Sequence, residues 1–253
     1  MVKSEFVKKT NAEIHQMSLD DRVKYFVDYE EYVLGLPFDE KQMQKGQNRY
    51  LKVSRIIANY MQKKLQPIYI TRKYDRLPNQ FILVTNHLDS KDQFMHIAAF
   101  PNIPFHYMIA QSLLTRKNHY RGHLYTKLGG FPIDKDNPDD RRLAEEKALQ
   151  YVFRGGNLTI FPEATRTLKY GGDGTVWGFK KGAASIAQAS RIPILPGAIN
   201  NDYRQGGLFM TIGSPFPVSY DDNVFDKTEE LQTIVSELKE ENDRKGAKII
   251  LRS

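Results

Sequence analysis

The chain of 253 residues is 40% hydrophobic and 26% charged, the balance of a folded domain and not of a disordered one. It contains no cysteine, which excludes disulfides, zinc–thiolate sites and cysteine nucleophiles and fits a reducing compartment. A formal net charge of +7 favours an anionic partner (phospholipid headgroups, nucleic acid or a phosphorylated ligand), although a merely soluble basic protein fits it equally well.

The opening segment MVKSEFVKKTNAEIHQM lacks the apolar stretch of a signal peptide. No window approaches the ~18 consecutive apolar residues of a spanning helix, so any contact with a membrane is expected at its surface. From Leu19 to Leu34, apolar residues at Leu19, Val23, Phe26, Val27, Val33 and Leu34, with Tyr29 and Tyr32 between them, follow near-helical spacing. Gly35, Leu36 and Pro37 punctuate the chain before a second amphipathic pattern carrying Tyr50, Val53, Ile57, Tyr60, Met61 and Leu65. Lys45, Arg49, Lys52, Arg55, Lys63 and Lys64 crowd that second segment. The spacing predicts a helical hairpin over 18–65, which divides the chain into an N-terminal element, 1–65, and a main domain, 66–253. The first helix reads better as packed on the core. The second reads better as an interfacial foot, apolar toward lipid and basic toward headgroups.

After Pro67 the texture changes: the runs IYIT, FILVTN, FHYMIA, FPI, NLTIF, IPILPGAI and LFMTIG alternate with helical stretches near 90–99, 119–128, 139–153, 180–190 and 226–244. That alternation predicts an α/β fold, a mostly parallel sheet flanked by helices and preceded by the hairpin. The runs at 81–86, 157–161 and 193–199 are nearly continuously apolar, as central strands buried on both faces should be. Lys169–Lys181, with Gly171, Gly172, Gly174 and Gly178 around the single tryptophan Trp177, reads as a loop.

Four short blocks carry candidate chemistry. In T-N-H-L-D-S-K-D at 85–92 a strand delivers His87 to its carboxyl end and Asp92 follows five residues later. On one continuous helix the two would lie about 140° apart, so they meet only if His87 is in the loop and Asp92 in the first turn of a following helix. A carboxylate on one ring nitrogen would then fix the tautomer and leave the other nitrogen basic. Read plainly, His87 is a loop histidine and Asp92 an acid answering the helix dipole, with Asp89 as a cap. In F-P-E-A-T-R-T at 161–167, Glu163 and Arg166 either organise a polar pocket in which Arg166 grips phosphate, or form a structural ion pair. In L-G-G-F-P-I-D-K-D at 128–136, Lys135 either reaches a phosphate or is a solvated turn lysine. In G-F-K-K-G-A-A-S-I-A at 178–187, small residues let a helix approach the sheet closely, and its start, with Lys180 and Lys181, either receives an anion or merely packs. There is no GxSxG elbow, Walker loop, GxGxxG or HExxH spacing.

The order of these blocks, N-H-x4-D, G-G-F-P-I-D-K, F-P-E-A-T-R and I-P-I-L-P-G-A-I, resembles the glycerolipid acyltransferase family, most closely the bacterial 1-acylglycerol-3-phosphate (lysophosphatidate) acyltransferases, from about Phe81 to Ile199. The resemblance implies an αβ acyltransferase domain behind a two-helix membrane-binding element, acting on the cytoplasmic face of the cell membrane. It implies direct transfer to the hydroxyl of a lysolipid from acyl-CoA or acyl-carrier protein, with no metal or cofactor and no nucleic-acid partner. His87 would be the general base and Asp92 its orienter, and Glu163, Arg166, Lys135, Thr165 and Lys181 would bind substrate. Three positions depart from the family's pattern: Ala164 for glycine, Thr167 for serine, and Gln111 where many relatives carry a phosphate-holding lysine, with Arg116 and Lys117 nearby as substitutes. A phosphate-ester hydrolase, or a non-catalytic basic protein that binds anionic membranes or nucleic acid, are the competing readings.

Overall fold

The computed structural model of the chain describes residues 6–64, 68–89, 92–115, 120–167, 174–200 and 208–250, leaving aside the side chains at 58, 60–64, 120–121 and 246–250. In chain order its elements are α1 (Asn11–Gln16), α2 (Leu19–Gly35), α3 (Glu40–Lys64), β1 (Ile68–Arg72), β2 (Ile82–Thr85), α4 (Asp92–Ala99), β3 (Phe105–Ala110), α5 (Ser112–Thr115), α6 (Tyr120–Lys127), β4 (Gly130–Ile133), α7 (Pro138–Phe153), β5 (Asn157–Ile160), α8 (Gly182–Ser190), β6 (Ile194–Asn200), β7 (Leu208–Ile212) and α9 (Val224–Ile250). Each of the seven expected strands lies where the apolar runs are, and the last helix extends beyond the expected 226–244 at both ends.

The strands form one sheet in the order β1-β7-β6-β2-β5-β3-β4. Every pairing is parallel except β6 with β7. Side chains alternate across the sheet with the two-residue period of a strand: Ile82 and Val84 face one core, Phe81 and Leu83 the other, and likewise Ile194 and Ala198 oppose Leu195 and Ile199. The first core is closed by α2, α7, α8 and α9, through Tyr29 and Val33, Ala148 and Leu149, Ala187, and Leu231 and Val235. The second is closed by α3 and α4 through Tyr50, Met95 and Ala99. In α8 the buried residues Ala183, Ala184, Ala187 and Ala189 carry only methyl groups, which is what allows a helix to lie close on its neighbours.

Three described helices precede β1; of the two that make up the predicted hairpin, α2 begins at an N-cap, Ser18, whose Oγ accepts from the Asp21 N–H, and buries Tyr25, Phe26, Tyr29 and Val33. In α3, Tyr50 is buried, and Val53 and Ile57 pack against the second core. The apolar side of α3, in its described part, is therefore applied to protein. Tyr60, Met61, Leu65, Lys63 and Lys64 lie outside the described side chains. On the opposite side, Lys41, Lys45, Arg49, Lys52 and Ile56 are exposed, and at ~100° per residue they fall on one stripe. Among the described residues no helix is long and apolar enough to cross a membrane.

At the other end of the sheet from the strands' carboxyl ends, His106 of β3 is buried and stacks on Tyr151 at 4.0 Å. Its Nδ1 donates to the Gly129 carbonyl at 3.0 Å, so its Nε2 accepts from the Gln47 amide at 3.2 Å. Gly129 has φ +97°, and a Cβ there would come within 3.0 Å of the His106 ring, so the first glycine of the L-G-G-F-P block serves the backbone.

Candidate active site

The carboxyl end of β2 is anchored by the residue before His87. Asn86 Nδ2 donates to the Ile199 carbonyl at 3.0 Å and its Oδ1 accepts from the Ile199 N–H at 2.7 Å, so one side chain clasps β2 to β6. His87 then leaves the strand, and Asp92 is the first described residue of α4; Ser90 and Lys91, where the helix is expected to begin, lie outside the described residues. The chain folds back as the spacing required. His87 Nδ1 donates to Asp92 Oδ2 at 2.8 Å, and the same oxygen accepts from the Leu88 and Asp89 N–H groups at 2.7 and 2.9 Å. Asp92 is fully buried, with 0% of its side chain exposed against 16% for His87. Because a carboxylate only accepts, Nδ1 carries the proton and the Nε2 lone pair is the basic site. Nε2 has no hydrogen-bond partner among the described residues.

β5 lies beside β2, and this brings the F-P-E-A-T-R-T block onto His87. The Phe161 ring stacks on the His87 imidazole with centroids 4.0 Å apart and planes 18° apart. Glu163 Oε2 accepts from the His87 N–H at 3.2 Å, and the His87 carbonyl accepts from the Thr167 N–H at 2.9 Å. Glu163 Oε1 accepts from the Trp177 N–H at 3.2 Å. Burial pushes the Glu163 carboxyl up to about 7, opposed by the N–H bonds from Trp177 and His87 and reinforced by the nearby Asp92 charge. Thr165 and Arg166 are half-buried on the same loop. Ala164 has φ +56°, a left-handed conformation that suits glycine, which accounts for the glycine usual there in the family that the sequence resembles.

The remaining predicted residues are more dispersed. Lys135 is exposed just after β4, and Gln111 is exposed just after β3, both at the carboxyl end of the sheet. β4 is three strands from β2, about 14 Å at the spacing of paired strands, so Lys135 could meet only a distal part of a substrate. Arg116 and Lys117 lie outside the described residues, as do Gly171 and Gly172. Lys181 is exposed at the start of α8 with its ammonium 5.1 Å from the centroid of the Phe225 ring, while the neighbouring Lys180 N–H donates to the Pro162 carbonyl at 2.8 Å. The start of α8 is thereby tied to the Phe161–Thr167 loop.

Beneath Phe161 sits a residue that the sequence hid within the apolar stretch MHIAAF. His96 is fully buried, its ring 5.1 Å from that of Phe161, with Nε2 2.9 Å from Thr85 Oγ1 and Nδ1 3.0 Å from Thr159 Oγ1. Burial, assisted by His87, pushes its pKa down to about 3, and burial pushes His106 down to about 4. Both are neutral in the folded protein and take up a proton only on unfolding. Their stabilisation is present above the ordinary histidine value of about 6.5 and is lost as the pH falls from there toward the folded values. From pH 7.5 to pH 5 each is expected to account for about 2 kcal/mol of lost stability. Urea unfolding of His96→Gln at the two pH values should show an acid loss smaller by about that amount; an unchanged pH dependence would refute the assignment.

Comparison with known proteins matches the sequence to a family. A family model described as Acyltransferase matches residues 66–200. The chain is similar to proteins named 1-acyl-sn-glycerol-3-phosphate acyltransferase from Bacillus subtilis (strain 168), 28% identical over 44% of this chain and 53% of the relative, and from Saccharomyces cerevisiae (strain ATCC 204508 / S288c), 30% identical over 48% and 39%. The matched part thus spans about half, or less, of the length of those curated relatives. In fold it is similar to the 1-acyl-sn-glycerophosphate (LPA) acyltransferase PlsC from Thermotoga maritima, with a TM-score of 0.54 at 20% identity, covering 90% of this chain and 95% of that one.

Proposed function

The chain belongs to the acyltransferase family, and on that premise we propose that it transfers a fatty acyl group from acyl-CoA or acyl-carrier protein to the free hydroxyl of lysophosphatidate or a similar lysolipid, a step of phospholipid biosynthesis. The observation that carries this reading is the His87–Asp92 pair, with Nδ1–H held on a buried carboxylate and Nε2 left basic. In the proposed reaction Nε2 takes the proton from the acceptor hydroxyl as its oxygen attacks the thioester carbonyl. The C–O bond forms, the C–S bond breaks, and the departing thiolate recovers the proton from the imidazolium. Asp92 holds the ring in the correct tautomer and offsets the imidazolium charge. Arg166 is proposed as the principal cation for the acceptor phosphate, on the loop that is bonded to His87, with Thr165, Lys135 and Lys181 as further contacts at the carboxyl end of the sheet.

The test is thiol release from an acyl donor, with mass spectrometry of the lipid formed. Release that requires lysophosphatidate and yields the diacyl product supports the reading. Release that proceeds equally without lysolipid would defeat it, and liberation of inorganic phosphate would favour a phosphate-ester hydrolase.

Such a substrate lies in a membrane, and we propose that the protein works as a peripheral protein on an anionic surface. The support is the exposed stripe Lys41, Lys45, Arg49, Lys52 and Ile56 of α3, directed away from the core. Because Tyr50, Val53 and Ile57 cover the sheet, deleting the N-terminal helices would uncover core, and a surface variant is the cleaner probe. At about 1 kcal/mol per cation near an anionic surface, the combined variant Lys45→Glu, Arg49→Glu and Lys52→Glu should bind phosphatidylglycerol-containing vesicles at least a hundredfold more weakly. Cosedimentation equal to that of the unaltered chain would exclude this face.

A further inference from the structure

Glu163 occupies a position at which the family resemblance implies contact with the acceptor, yet its side chain is spent on the protein. The residue is 5% exposed, and each of its carboxylate oxygens already accepts a main-chain N–H: Oε2 that of His87 and Oε1 that of Trp177, both at 3.2 Å. The His87 carbonyl accepts from the Thr167 N–H at 2.9 Å, so both main-chain polar groups of His87 are held by the loop that follows β5. Each oxygen keeps a second lone pair, but at 5% exposure the carboxylate offers an acceptor hydroxyl little open surface, and loss of either N–H bond would leave a buried amide unpaired, which is costly. A substrate phosphate would be repelled by this carboxylate and by the Asp92 charge nearby.

We infer that Glu163 is a positioning residue, whose two oxygens lock the His87 main chain to the Trp177 segment and so keep the imidazole bonded to Asp92 and stacked on the Phe161 ring. It acts through His87 and touches no reacting atom. Its carboxyl stands at about 7 in the folded chain, so deprotonation near neutral pH strengthens both N–H bonds, which are the bonds that the inference requires.

The kinetic half of the test rests on the acyl-transfer reading; the other half does not. In the full chain, Glu163→Gln keeps the size of the side chain but replaces one of the two acceptors with a donor. If Glu163 positions His87, kcat should fall about 10–100-fold while KM for the lysolipid stays within about twofold, because the catalytic ring is misplaced and the acceptor contacts are intact. A rise in KM with kcat kept would make Glu163 an acceptor ligand and overturn the inference. Glu163→Asp should fall between the two, since both oxygens remain but reach less far. Without any substrate, amide hydrogen exchange at His87 and Trp177 should be at least tenfold faster in Glu163→Gln, while peptides from β6 exchange as before. Unchanged exchange at both amides would overturn the inference even if the chain proved to have no acyltransferase activity, and faster exchange there would sustain it in that same case.

Discussion

Replacing His87 with alanine is expected to lower lysolipid-dependent thiol release by about 10²–10⁴-fold, the usual contribution of a positioned general base. The side chain is 16% exposed and its only side-chain hydrogen bond among the described residues goes to Asp92, so the loss is one of chemistry more than of folding. The two main-chain bonds of His87, to Glu163 and from Thr167, survive the substitution. The urea midpoint should therefore move little. KM for the lysolipid should also stay near its original value, because the proton is transferred only as the acceptor attacks. Turnover that persists unchanged in His87→Ala would remove the imidazole from the mechanism.

The second large effect is expected at Asp92, where asparagine is the informative replacement. Asp92 Oδ2 accepts from three donors: the His87 ring and the N–H groups of Leu88 and Asp89. An asparagine oxygen can keep the two amides. Because His87 Nδ1 binds that same oxygen, the amide would also keep the ring in its tautomer, and what is lost is the negative charge that offsets the imidazolium formed when Nε2 takes the acceptor's proton. Activity should fall about as far as in His87→Ala, roughly 10²–10⁴-fold, and combining the two substitutions should add little, since both disable one unit. A double variant that loses the product of the two single effects would mean that Asp92 acts independently of His87. Alanine at the same position would also strip the buried Leu88 and Asp89 amides of their acceptor, at about 1–3 kcal/mol each, and would confuse catalysis with stability.

Much of the scaffold was legible in the sequence because strand burial writes itself into composition. The runs FILV and IPILPGAI are apolar at every position because both of their faces meet a core, Ile82 and Val84 one and Phe81 and Leu83 the other. Helical geometry gave only the condition on which Asp92 could fold back onto His87, since residues five apart on one helix cannot meet, and the structure fulfils it. What could not be read is which loops would be neighbours. The order β6-β2-β5 puts the block after β5 against His87, and only the likeness to a known family, not periodicity, implied that meeting. Side-chain direction was equally hidden. Nothing in the sequence told that both oxygens of Glu163 would lie on main-chain amides, and His96 looked like part of a hydrophobic helix because its ring is neutral and paired with two threonines. Phe161 could have been suspected from its place at the end of a buried strand, next to the polar loop. Asn86, beside the histidine, could equally have been taken for chemistry, yet both ends of its amide are bonded to Ile199. The second helix was misjudged in one respect: Tyr50, Val53 and Ile57 were expected at a lipid boundary, and the sheet supplied a surface for them first.

The placement of β1 bears on how the molecule comes into being. Among the seven described strands β1 is made first, yet its one neighbour in the sheet is β7, which is made last of the seven, with Ile68 beside Leu208 and the Tyr69 ring stacked on Phe209 at 4.8 Å. Throughout synthesis of everything between, this margin has nothing to pair with, and a contact so distant along the polymer is slow to find. The nascent chain should accordingly finish its sheet only once β7 has emerged, with the β1 border open to holding chaperones until then.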